Sequence, residues 1–352
     1  MGDIVAAIGT AHAPQFLTRP ETEDPQQLAA VYAALATLQG RLQEIAPDAV
    51  LILANDHIEN FYLTVVPPFT IFTGVEARGH FAGRDYCYRG HPALARTLLE
   101  EGLRLGLDLA YSQEVRLGHS FLVPLHFLLP EPPPPVVPIF VNTYLPPQPW
   151  PRRCYEVGQR LGEIIRRRPE RVAVIASGGL SHYPGTDLYP HPDNAFDAEV
   201  LRWIEAGELH RLIGFTPAEL DRHGNLELLQ WIVLLGMLGD EPPAELVTYQ
   251  PSWHHGYAVV WWDLRAQRPA PTPHYAYADP ARYALNTALY TLMNDRALRQ
   301  QFLADADAAL ARFALTDEER AAIKRRDVKA LTTLGAHPFL AFMADYNLKY
   351  ET

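Results

Sequence analysis

Ala49-Val50-Leu51-Ile52-Leu53-Ala54-Asn55-Asp56-His57 decides how the chain folds. Six apolar residues in a row, with β-branched Val50 and Ile52 among them, make a strand of ordinary length with no polar face. That is the pattern of a strand covered on both sides. Three polar residues end it, the last a histidine. Upstream, Asp24-Pro25 has the form of an N-cap and first helical residue. The helix it opens carries an apolar stripe at Leu28, Val31, Tyr32, Leu35, Leu38, Leu42 and Ile45, at spacings of three and four. Further upstream, residues 3–8 form a short apolar strand that runs into Gly9-Thr10-Ala11-His12-Ala13-Pro14. Strand, helix, strand predicts an α/β sheet with helices around it.

The same alternation continues. Strands are predicted at 136–141, 171–177, 245–250 and 256–263, and helices at 92–106, 152–167, 194–206 and 225–238. The stretch 264–274, with Pro269, Pro271 and Pro273, has the composition of a linker. Beyond it the periodicity is helical at 279–293, 295–304, 316–325 and 327–334, and Thr316-Asp317-Glu318-Glu319 is a capping box. The expected architecture is a catalytic α/β domain over residues 1–268, a central mixed sheet flanked by helices, followed by a small all-α domain over 275–352.

Composition narrows the function. The chain has 352 residues, 48% of them hydrophobic, which suffices for a full core and argues against disorder. Its net charge is −11 (30 basic, 41 acidic residues), so a nucleic-acid partner is not expected. The one basic run, Arg166-Arg167-Arg168, is expected to be a solvated helix end that suits the helix dipole. No run of ~18 apolar residues predicts a membrane span, and no basic-then-apolar leader is seen, so the cytoplasm is the expected location. Cys87 and Cys154 are too few for a disulfide framework or a zinc finger.

The chemistry rests on the histidines. His12, His57 and His182 each follow directly on an apolar strand. In open α/β sheets ligands gather outside the carboxyl ends of the strands, so three strands can deliver three imidazoles to one place. Glu227 stands in Leu226-Glu227-Leu228-Leu229-Gln230-Trp231, at a helix that is apolar nearly all round. A carboxylate buried there is costly unless it meets a cation or hydrogen-bond donors; otherwise it sits at the helix start, partly solvated. Two histidines and one carboxylate make the facial set used by non-heme Fe(II) oxygenases, and a further histidine nearby suits acid–base work. His119, in Gly118-His119-Ser120, and the pair His254-His255 are further candidates, the pair being either a polar strand end or a substrate contact.

Gly9-Thr10-Ala11-His12-Ala13-Pro14, Asn55-Asp56-His57, Gly118-His119-Ser120-x-x-x-Pro124-Leu125, Ser177-Gly178-Gly179-Leu180-Ser181-His182 and Asn225-x-Glu227-x-x-x-Trp231 together resemble the class III extradiol ring-cleavage dioxygenases of the protocatechuate 4,5-dioxygenase type. The resemblance covers about residues 1–265. A second resemblance, on Leu285-Asn286, Phe313-x-Leu315-Thr316, Asp327 and Leu334-Gly335-Ala336-His337-Pro338, is to the small helical subunit of the same enzymes, a fusion that gallate dioxygenases show. Trp253-His254-His255-Gly256 departs from the small hydroxyl residues usual there. The resemblance implies Fe(II) held by His12, His57 and Glu227. It also implies proton transfer by His182, a hydrogen bond from His119 to substrate or O2, an aromatic diol and O2 as reactants, and a homo-oligomer; substrate contact at His254 and His255 is an expectation from their place in the chain, where the resemblance departs. Two rival expectations are a Zn-dependent hydrolase that uses the same residues and a non-enzymatic relative that retained the fold.

Overall fold

The computed structural model describes residues 3–239, 244–262, 264, 275 and 278–350. Nearly all of the predicted linker 264–274 lies outside the described residues. The chain divides into two compact units, Met1–Gln267 and Arg268–Thr352.

The first unit is built on an eight-stranded mixed sheet. Its strands are β1 (Asp3–Thr10), β2 (Ala49–Ala54), β3 (Phe69–Phe72), β6 (Ala110–Ser112), β7 (Val136–Val141), β8 (Arg171–Ser177), β9 (Glu245–Pro251) and β10 (Gly256–Trp262); β4 (Glu76–Phe81) and β5 (Arg84–Arg89) form a separate hairpin. The order across the sheet is β6-β3-β7-β2-β8-β1-β10-β9. The centre, β7-β2-β8-β1, is parallel, while β10 runs antiparallel to β1 and β3 antiparallel to β7. This is the α/β mixed sheet expected from the sequence.

Every residue of β2 is buried, because its side chains alternate between two cores. Leu51 and Leu53 face the helices Pro151–Arg166 and Leu228–Leu238, while Val50 and Ile52 face Pro25–Ile45 and His119–Leu128. The Asp24 side chain accepts from the Gln26 and Gln27 backbone N–H groups and Pro25 opens the helix, as the sequence predicts. Arg166 differs from expectation. It is not a solvated end: its guanidinium donates to the Met237 and Leu238 carbonyls at 2.7 and 3.0 Å, and so satisfies the end of the neighbouring helix.

The second unit is helical among its described residues, with Tyr283–Asn294, Arg296–Ala304, Asp317–Arg325 and Pro338–Lys349 as its longer helices. Thr316 and Glu319 form the predicted capping box. Leu285, Leu289, Phe302, Leu310, Ile323 and Leu331 build its own small core. Phe339 and Phe342 stay about half exposed, at 46% and 54%.

Candidate active site

The parallel strands end on one edge, and the site is assembled there. In the order β7, β2, β8, β1 the segments that follow carry Tyr144, His57, His182 and His12. Because β10 runs the opposite way beside β1, the turn that precedes it brings His254 and His255 to the same edge. Glu227 arrives from the other side, as the residue before the helix Leu228–Leu238. It is therefore not inside the predicted helix 225–238 but at its N-cap, and it is 1% exposed, not solvated.

The motifs have local physical reasons. A Cβ on Gly178 would stand 2.6 Å from the Glu227 carbonyl oxygen, and one on Gly179 would stand 1.6 Å from His255 Nε2. Only glycine lets both elements approach this closely. The Gly179 N–H then donates to Glu227 Oε2 at 2.6 Å. The Trp231 indole donates to the Gly178 carbonyl at 3.1 Å, one helical turn from Glu227, and ties that helix to the strand end. The Asn225 amide donates to Asp197 Oδ1 at 3.2 Å, and the Ser181 N–H donates to the same oxygen at 2.9 Å. One buried carboxylate thus fixes both the Glu227 and the His182 segments.

At the centre, Glu227 Oε1 lies 3.2 Å from His12 Nε2, 3.8 Å from His57 Nε2 and 3.6 Å from His182 Nε2. The nitrogens of His12, His57 and His119 converge within 4.8 Å of one another, and so do donor atoms of His182, Glu227 and His255. His119 stacks on His57 with ring centres 4.1 Å apart, and His255 stacks on His182 at 4.0 Å with planes 4° apart. The sequence-predicted histidines and Glu227 are thus brought together. His254 lies beside them, its Nε2 3.0 Å from Glu23 Oε1.

The ring orientations are set from outside. Ser177 Oγ donates to the Ser120 carbonyl, so it accepts from His12 Nδ1, 3.0 Å away. In the neutral ring this leaves a lone pair on Nε2 directed at a carboxylate oxygen. Two lone pairs facing each other repel, and a cation between them removes the repulsion. His182 Nδ1 donates to the Leu180 carbonyl at 2.9 Å. Its Nε2 lies 3.0 Å from the Tyr144 hydroxyl, which itself donates to Glu227 Oε1 at 2.8 Å.

Electrostatics sorts these groups. Burial, then His119 and His12, hold the His57 imidazolium form well below the usual histidine range. Burial, with His12 next, pushes His119 down to about 3. Burial alone would raise Glu227, but His12 and His182 outweigh it and hold the carboxyl well below the usual range. Burial would likewise lower His182, but Glu227 outweighs it and the net shift is upward. The neutral imidazoles of His57 and His119 and the ionised carboxylate of Glu227 are donors of the kind a divalent cation requires. The residues present therefore fit a metal.

Tyr144, Ser177 and Glu23 were not singled out from the sequence. Tyr144 follows β7 as the histidines follow their strands, so the same strand-end rule finds it once tyrosine is counted. Glu23 carries no such signal; Ser177 opens the quoted string Ser177–His182, but its contact with His12, distant in the chain, has no local signal.

Comparison with known proteins shows the family. Residues 6–260 match the family described as the catalytic LigB subunit of aromatic ring-opening dioxygenase, and residues 285–346 match the LigA subunit of the aromatic-ring-opening dioxygenase LigAB. A 2,3-dihydroxyphenylpropionate/2,3-dihydroxicinnamic acid 1,2-dioxygenase of Comamonas testosteroni is 31% identical over 264 residues, 74% of this chain and 76% of that protein. An enzyme of the same name, numbered 2, from Pseudomonas putida is 35% identical over 252 residues, 69% and 75% of the two chains. The crystal structure of uncharacterized protein JW3007 from Escherichia coli K12 shares the fold, with a TM-score of 0.50 at 15% identity, over 73% of this chain and 99% of that one. Since the first match spans most of the first unit and well over half of the chain, the protein belongs to the family of catalytic subunits of aromatic ring-opening dioxygenases.

Proposed function

We propose that the chain is a non-heme Fe(II)-dependent extradiol dioxygenase that opens the ring of a catechol-type substrate with O2. The observation that carries this is the single oxygen Glu227 Oε1, set among His12 Nε2, His57 Nε2 and His182 Nε2 on one sheet edge. His12, His57 and Glu227 would hold the iron, two neutral nitrogens and one anion, so that the site keeps positive charge for a catecholate. Bound Fe(II) supplies a place where adjacent diol oxygens and O2 meet.

The chain's residues supply the rest. His182 accepts a phenolic proton at Nε2 and later returns it, with Nδ1 held by the Leu180 carbonyl so that the ring cannot turn away. His119 offers a hydrogen bond to a substrate oxygen or to O2, and His254 and His255 contact the substrate ring. Oxygen enters next to the diol and not between its hydroxyls. A protocatechuate- or gallate-like diol follows from the resemblance, and a dihydroxyphenylpropionate from the relatives' names. Residues 1–268 would be the catalytic part and 275–352 the counterpart of the small subunit, needed for full turnover and carried within a homo-oligomer. We place this enzyme in the cytoplasm; among the described residues no helix is long and apolar enough to cross a membrane.

The test is anaerobic Fe(II) loading followed by oxygen uptake against a panel of diols, with Zn(II)-loaded protein as the control. Uptake with iron and none with zinc is expected. Ester or amide hydrolysis by the zinc form, without oxygen uptake by the iron form, would establish the hydrolase instead.

A further inference from the structure

Two cavities meet at the site. The inner one, about 200 Å³, is lined by His12, His57, His119, His182, His255 and their neighbours. The outer cleft, about 700 Å³, shares Tyr144, His182 and Pro184 with it and also reaches Glu227. The inner cavity is smaller than the ~300–1,000 Å³ of common small-molecule sites, whereas the outer one falls within that range. A diol ring at the donor atoms leaves little room for anything more in the inner cavity. Whatever the ring carries must extend past Tyr144 and His182 into the cleft.

The cleft's walls state what can be carried. Pro146, Pro147, Trp150, Pro184, Pro217 and Leu226 present apolar surface. The ionisable acids that line it are Asp221 and Glu227, and among the described residues neither a lysine nor an arginine lines either cavity. The other buried imidazole at hand, His254, is already paired with Glu23 at 3.0 Å. A carboxylate placed in this cleft would find no lysine or arginine on its walls and would meet the exposed carboxylate of Asp221, on a chain of net charge −11. Like charges repel, while an apolar group gains from leaving water.

We propose that the substrate's substituent is uncharged and apolar: the diol is an alkyl- or aryl-substituted catechol, not a carboxylated one, with Asp221 as the residue that discriminates against the acid. This rests on the reading of the site as an extradiol dioxygenase, and it departs both from the protocatechuate- or gallate-like diol of the resemblance and from the acidic compounds in the relatives' names.

The experiment uses a matched pair, 3-propylcatechol and 2,3-dihydroxyphenylpropionate, which differ chiefly in the carboxylate. Their Kd values for the iron-loaded, full-length protein are measured without oxygen by calorimetry, and kcat/KM is then measured by oxygen uptake. The neutral diol is expected to bind roughly tenfold tighter or more, with the difference carried by KM. Asp221→Arg is expected to shift the ratio toward the acid by about tenfold. Equal or tighter binding of the acid by the wild type would overturn the proposal, as would an Asp221→Arg ratio that does not move. Absence of oxygen uptake with both diols, with the binding ratio intact, would overturn the dioxygenase reading and leave the binding preference standing.

Discussion

The two walls of the site are built to different standards. On the wall formed by the parallel strands and the Glu227 segment, three of the four key donors are oriented by a second group, His12 by Ser177, His182 by the Leu180 carbonyl and Glu227 by the Gly179 N–H and the Tyr144 hydroxyl, while His57 has a buried Nδ1 without a partner among the described residues. On the wall formed by the β9–β10 turn, His255 Nε2 and His254 Nδ1 are buried with no hydrogen-bond partner among the described residues. Here the order lies one layer back, where Glu23 accepts from Ser252 at 3.2 Å and Tyr257 at 2.9 Å and pairs with His254. A wall that must hold a reacting centre to fractions of an ångström needs redundant hydrogen bonds. On the proposed reading the second wall meets the substrate, and its unpartnered nitrogens would be free to contact it.

Five variants would break or sharpen this contrast. The largest effect is expected at Glu227→Ala, which should lower iron affinity by more than the roughly 10–100-fold typical of losing an outer partner. Iron content after anaerobic loading and dialysis measures it, and full occupancy would remove Glu227 from the ligand set. His182→Ala should retain iron and lose about 10²–10⁴-fold in kcat. If the metal is lost with the imidazole, His182 is a ligand and the division of labour along this wall is wrong.

Ser177→Ala and Glu23→Gln separate the two walls directly. The first removes the group that orients His12 and should weaken iron binding by about 10–100-fold. The second should leave iron binding unchanged and cost about 1–3 kcal/mol of stability, read from denaturant unfolding, since a buried acceptor of Ser252, Tyr257 and His254 is altered. Equal effects of both variants on iron would mean that the walls are not distinct.

The smallest effect concerns Asp197, which joins the walls: it accepts from the Ser181 N–H at 2.9 Å and the Tyr249 hydroxyl at 2.8 Å. Burial, opposed by the hydrogen bonds from Ser181, Tyr249 and Asn225, pushes its carboxyl from 3.8 up to about 6. The folded state thus binds the proton more strongly than the unfolded one. The stability this adds is fully present below the unfolded value and is lost as pH rises through about 6. The Tm of Asp197→Asn should therefore gain on the wild type between pH 4 and pH 7, whereas a pH-independent gap would contradict the shift.

The sequence made one kind of information plain and hid another. Strands buried on both faces are written as apolar runs, so β1, β2, β7 and β8 were legible, and with them the edge where His12, His57 and His182 stand. The hairpin β4–β5 was missed because its turn uses Ala82 and Gly83, with φ of 50° and 72°, and its strands carry Arg84, Asp85 and Arg89. Ala-Gly is not among the usual turn pairs, and charged strands show little alternation. The helix His119–Leu128 was missed because it contains Pro124 and is too apolar to show a stripe. Pro338–Lys349 was missed because half-exposed Phe339 and Phe342 blur its periodicity. Tyr144, Ser177 and Glu23 depend on contacts between segments far apart in the chain, and no local pattern records those.

The central donors sit at positions 12, 57 and 227, on segments that meet only when β1, β2 and β8 are side by side and the helix Leu228–Leu238 has docked. No fragment of the chain ending before residue 227 holds all three. Loops of this span close slowly, because their entropy is lost before their contacts form. If the site takes a metal as proposed, its capture would follow the assembly of the sheet, and metal in excess of its Kd would hold the finished fold closed by mass action. On that reading, a cell short of the metal would carry the protein as a more protease-sensitive chain, so that supply of the metal would set how much enzyme persists as well as how much is active.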